Sequence, residues 1–156
     1  MIAITDHNAA ENTEAAQRAA KGTGLTVLAG MEVTSSEEVH VLALFEDAAR
    51  AGQMQDIIYE HLPARENDER LYGHQIIVNE DNEVMGFNKR LLITATDLTI
   101  RRLLDAIISL GGLAIACHVD REAFSVLSQL GFIPEDLGFD ALEFSPRISR
   151  KHGDTI

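Results

Sequence analysis

The chain has 156 residues, 46% of them apolar, which suits one domain with a substantial core. Its 25 acidic and 13 basic residues give a net charge of −12, excluding a protein that wraps a long nucleic-acid duplex along a basic track. The single cysteine, Cys117, excludes an internal disulfide framework, and no apolar run approaches the roughly 18 residues of a membrane span. The chain also lacks the basic flank and apolar core of a signal peptide, so a cytoplasmic protein with no membrane partner is expected. A small phosphorylated substrate is compatible with the negative charge, because bound divalent cations invert the local field.

In chain order, "IAIT" reads as a strand. "AAENTEAAQRAAK" follows as a helix, with Asn8 and Glu11 as a capping pair and Gly22 as its stop. "LTVLAG" and "VHVLALF" are the next strands. Residues 46–62 form an amphipathic helix with Met54, Ile57 and Ile58 on one face and Pro63 beyond it. "ENDERLYG" is a solvated connection, and "QIIVNEDNEVMGF" a hairpin turning at "NEDN". Asp97 or Thr99 caps the helix "IRRLLDAIISL", which Gly111 and Gly112 end. "LAIAC" is a strand, "REAFSVLSQL" a helix stopped by Gly131, and "DALEFS" the last strand. Such alternation predicts an α/β layer or barrel with a largely parallel sheet.

Polar residues recur where these strands end. "IAIT" runs into Asp6 and His7, "LTVLAG" into Met31 and Glu32, and "LAIAC" into His118. The carboxyl ends of parallel strands form one rim, where sites are built. His40 opens the strand after Glu32; a hairpin between the two would return both side chains to that rim. Each His alone reads more readily as a capping or solvated group than as a ligand, and Glu32 alone as a surface acid. Together, His7, Glu32, His40 and His118 are a candidate metal site, whose imidazole and carboxylate donors suit zinc, manganese or iron better than magnesium or calcium.

"AITDHN", "GLTVLAGMEVTSSEEVHVLALF" and "GGLAIACHVDRE" resemble consecutive motifs of the PHP family, named for polymerase and histidinol phosphatase domains, over residues 2 to about 146. The resemblance implies that residues 1–156 are a single truncated domain, a partial distorted (β/α)₇ TIM-like barrel with a β-hairpin insertion. It also implies two or three divalent ions in the complete site. The implied activity is hydrolysis of a phosphomonoester or of a nucleotide or oligonucleotide phosphoester by a metal-activated hydroxide. The alternative is a non-catalytic metal-binding or interaction module. His7, Glu32, His40 and His118 match metal-ligand positions. Glu32 and Asp6 are the candidate catalytic carboxylates, Glu32 as a bridge between ions and Asp6 as an acceptor orienting an imidazole.

The family's HxH motif would precede residue 2 and its Asp-x-His motif would follow residue 156; neither is in the chain, and "HGDTI" has the wrong order and spacing. Val119 stands where many relatives carry proline. A barrel short of strands exposes an edge, so self-association is expected. Arg121, just after His118, is a candidate for substrate phosphate or a solvated helix-start residue. The cluster Arg147, Arg150, Lys151 and His152 reads as a solvated basic tail or part of the active rim. Cys117, adjacent to His118 on a strand, should face away from it into the core. His61 reads as a helix C-terminal cap, and His74 has no evident partner.

Overall fold

A computed structural model describes residues 1–146. The basic cluster at Arg147, Arg150, Lys151 and His152 lies outside the described residues. The main sheet contains β1 (Ile2–Ile4), β2 (Val27–Thr34), β3 (His40–Phe45), β6 (Leu113–Ala116) and β7 (Ala141–Leu142), in the order β1-β2-β3-β6-β7. The intervening helices are α1 (Thr13–Ala19), α2 (Ala48–His61), the single-turn α3 (Glu69–Tyr72), α4 (Ile100–Ser109) and α5 (Val126–Leu130). The hairpin read at "QIIVNEDNEVMGF" is present as β4 (Ile76–Val78) and β5 (Val84–Phe87), a two-stranded sheet of its own.

The predicted TIM-like (β/α)₇ barrel is not formed. β1 and β7 pair in parallel with β2 and β6, but β2–β3 and β3–β6 are antiparallel, so the sheet is mixed rather than largely parallel. The reason is connection length. Only residues 35–39 separate β2 from β3, whereas a parallel crossover needs about a dozen residues or more, so the chain reverses as a hairpin. Residues between β3 and β6 go into helices and the separate hairpin and add no strand to the main sheet. Among the described residues, β1 and β7 remain its two edges, and the sheet stays open.

Alternation along the strands separates two faces. Val27, Ala29, Met31 and Val33 on β2, Val41, Ala43 and Phe45 on β3, and Ala114 and Ala116 on β6 are all buried. All but Val27 form one core with Ala51, Met54 and Ile58 of α2 and Ile100, Leu103, Leu104 and Ile107 of α4. α2 starts at Asp47, whose side chain accepts from Arg50 N at 2.9 Å, and Thr99 caps α4. Gly112 is required beneath Phe45, where a Cβ would lie 2.8 Å from Cδ1 of the ring. The opposite face of β3 carries His40, Leu42 and Leu44, all half-buried. The site is on this more open face.

Three local readings change. α1 begins only at Thr13, because Asn8 and Glu11 make tertiary hydrogen bonds instead of capping it. α5 is shorter than "REAFSVLSQL", because positive φ at His118 and Phe124 keeps residues 118–124 in turns; Ser125 and Ser128 then form a capping box. "ENDERLYG" contains α3, and its Glu69 lies 3.2 Å from Nδ1 of His74, the residue left without a partner in the sequence. His61 does end α2, where its Nδ1 meets Asp97 at 2.5 Å. Among the described residues, no helix is long and apolar enough to cross a membrane.

Candidate metal centre

His7 lies beyond the end of β1 but rejoins β2 through a parallel bridge to Glu32. Glu32 N donates to Asp6 O at 3.0 Å and Asn8 N donates to Glu32 O at 2.9 Å, so His7 is clamped beside Glu32 on the same sheet face. In the β2–β3 register Glu32 opposes Leu42, two residues from His40, which places Glu32 and His40 diagonally on that face. The hairpin geometry expected from the sequence is therefore present.

Behind His7 stands Asn8, fully buried at φ 52°. Its Nδ2 donates to Leu92 O at 2.7 Å and Thr94 O at 2.9 Å, while its Oδ1 accepts from Thr34 N at 3.2 Å. Asparagine is among the few residues that enter the left-handed region readily, and its amide joins three segments at the base of the site. Asn8→Ala leaves three backbone groups unpaired and is expected to destabilise the fold by about 3 kcal/mol. A urea midpoint unchanged from the parent would contradict this.

His40 is the hub. Its Nδ1 lies 2.6 Å from Glu32 Oε1 and 3.3 Å from His118 Nε2, and its ring stacks on Phe124 at 4.6 Å. His118 Nε2 lies 3.7 Å from the same Glu32 oxygen, and the rings of His7 and His40 meet edge-on at 5.1 Å. His118 is 7% exposed, and its backbone N–H donates to Glu143 Oε2 at 3.0 Å. Burial pushes the Glu32 carboxyl up, but the His40 hydrogen bond and the fields of His7, His40 and His118 outweigh it and hold the group below its ordinary value.

The donor set suits a divalent metal. The Nδ1 atoms of both His7 and His118 are buried without a hydrogen-bond partner among the described residues, an expensive arrangement for imidazoles that serve only structure. Two sets of donor atoms lie within 4.8 Å of one another: His7, Glu32 and His40, and Glu32, Cys117 and His118. Glu32 belongs to both. His7, Glu32, His40 and His118 border an open cleft of about 1120 Å³, shared with Asp120, Arg121, Phe124, Glu143 and Ser145.

Other readings fare differently. Arg121 is exposed on the cleft wall, and among the described residues its guanidinium makes no ion pair. Asp6 is not joined to His7; its Oδ2 accepts from Asn12 Nδ2 at 3.3 Å, and it borders a neighbouring pocket. Cys117 is fully buried, as expected, but it is not separated from His118: its Sγ lies within 4.8 Å of donor atoms of Glu32 and His118, because His118 departs from strand alternation. Glu143 and Phe124 were not singled out in the sequence. Glu143 falls in the "DALEFS" strand region, and Phe124 owes its position to a positive φ of 58°, which no local motif announces.

No family model matches the chain, and no curated relative matches it. Among solved structures it is similar to a provisionally named metal-dependent phosphoesterase from Bifidobacterium adolescentis. The two share 19% identity with a TM-score of 0.58, covering 92% of this chain and 68% of that one. The likeness extends to the fold.

Proposed function

We propose that the chain is a metal-dependent phosphoesterase that hydrolyses a phosphomonoester or a nucleotide phosphoester. The observation that carries the reading is the convergence of His7, Glu32, His40 and His118, with two buried ring nitrogens left unpartnered. The PHP resemblance of the three motifs supports it, as does the name given to the structural neighbour. His7, Glu32, His40 and His118 would hold a divalent ion such as zinc, manganese or iron, Glu32 being common to both sets of donor atoms. A bound divalent cation supplies Lewis-acid charge against a phosphoryl oxygen and acidifies water.

The chain's own residues supply the rest. Arg121 faces the cleft free to pair bidentately with a phosphate, and the Phe124 ring fixes the plane of His40. The Asp120 carboxylate holds Ser145 through both its N–H and its hydroxyl, tying the end of the β7 segment to the rim. Arg121→Ala should raise KM for a phosphomonoester about tenfold, the equivalent of one lost charge-assisted hydrogen bond, while leaving metal content unchanged. Parallel loss of metal would contradict that role.

The direct test is turnover of aryl phosphates and nucleoside monophosphates by metal-free protein before and after addition of manganese or zinc. Metal-dependent phosphate release supports the reading, and no release with any substrate by metal-loaded protein contradicts it. The exposed cleft, with Asp120 and Glu143 adding charge that repels phosphate, favours one second reading, a non-catalytic metal-binding or interaction module. Metal binding without turnover would select it. As for assembly, among the described residues β1 and β7 each pair on one side only, and we expect copies of the chain to associate through such an edge. Light scattering that shows a monomer at high concentration would contradict this.

A further inference from the structure

We propose that Cys117 is a thiolate ligand of the metal centre, sharing an ion with Glu32 and His118. This rests on the reading of the site as a metal centre and adds to it a sulfur donor. The β3–β6 register pairs Val41 with Ala116, and Cys117 N continues it by donating to His40 O at 3.1 Å. Cross-strand partners share a face, so Cys117 is presented on the face of His40. Alternation would then turn His118 away. It does not, because His118 has φ 32°, a left-handed conformation that costs a non-glycine residue about 1–2 kcal/mol. Backbone strain of this kind is commonly kept where function requires it. Its effect here is that two consecutive residues reach one site.

The local chemistry agrees. Sγ, a Glu32 oxygen and a His118 ring nitrogen lie within 4.8 Å of one another. The thiol donates to Ile115 O only at 4.0 Å, a long contact even for sulfur, so that bond holds it weakly. His118 is itself more than nine-tenths buried with its Nδ1 unpartnered. Zinc–sulfur bonds of about 2.3 Å and zinc–nitrogen bonds of about 2.0 Å separate donors on one ion by roughly 3.5 Å, within reach of side-chain adjustment from this arrangement. When the sulfur–metal bond forms, the thiol proton passes to solvent. A soft sulfur donor biases the site toward zinc over manganese and magnesium.

Cobalt(II) titration of the full chain, followed by absorption, tests the proposal. Visible d–d bands report metal binding, and a near-ultraviolet sulfur-to-cobalt charge-transfer band reports the thiolate. Cys117 is the chain's only cysteine, so the second signal has one source. The native chain should show both, and C117S should keep the d–d bands and lose the charge-transfer band; C117A serves if C117S does not fold. Native d–d bands without charge transfer overturn the thiolate ligand and leave the metal centre standing. Absence of both signals overturns the two together.

Discussion

Glu32→Gln should remove metal and metal-dependent phosphoester hydrolysis together, lowering kcat/KM by more than about a hundredfold. The figure is a floor, since losing even a hydrogen-bond partner of a metal ligand typically costs about 10–100-fold. Glu32 is common to both sets of donor atoms, and one of its oxygens lies 2.6 Å from His40 and 3.7 Å from His118. Glutamine preserves the shape and removes the charge that draws a cation among three imidazoles. The residue is half-buried on the open face of β2, outside the helix-side core, so the fold should survive the substitution. Elemental analysis and phosphate release on one preparation check the result, and full turnover by the variant would contradict it.

Leu103→Ala carries the largest expected stability effect, a loss of about 2–5 kcal/mol. Leu103 has no exposed surface and lies on α4 within the core shared with α2 and the inner faces of β2, β3 and β6. Close-packed neighbours cannot collapse fully into the vacated space, so a cavity adds to the lost transfer energy. The melting temperature should fall by about 2–4 °C for each kcal/mol lost. A change below 1 °C would mean that α4 is not packed as described.

Most elements were legible in the sequence because their signals are local. The hydrophobic stripe of 46–62, the glycine after "REAFSVLSQL" and the polar turn "NEDN" each specify a neighbourhood of a few residues, and the structure contains the corresponding α2, helix stop and hairpin. Three of the four donors were legible because they flank strands, His7 after β1, His40 at the start of β3 and His118 after β6, whereas Glu32 lies inside β2, which runs on to Thr34. Barrel closure was not legible, because it depends on whether the first and last strands find each other. The short connection at 35–39 reverses β3, and β1 and β7 stay apart.

The placement of Cys117 was illegible for a different reason. Alternation predicts opposite faces for Cys117 and His118, and it fails through one left-handed residue that is not glycine. Asn8 similarly reads as a cap by composition, yet its amide bonds to carbonyls more than eighty residues away. Both are tertiary effects that override local propensity.

The most direct test of the central claim is elemental analysis of the native chain and His40→Ala after incubation with zinc or manganese and removal of free metal by gel filtration. His40 touches both Glu32 and His118 and stacks on Phe124, so it reports on the whole constellation. The account predicts at least one retained ion per native chain and far less in the variant. A native chain that keeps its fold but retains no metal would contradict it.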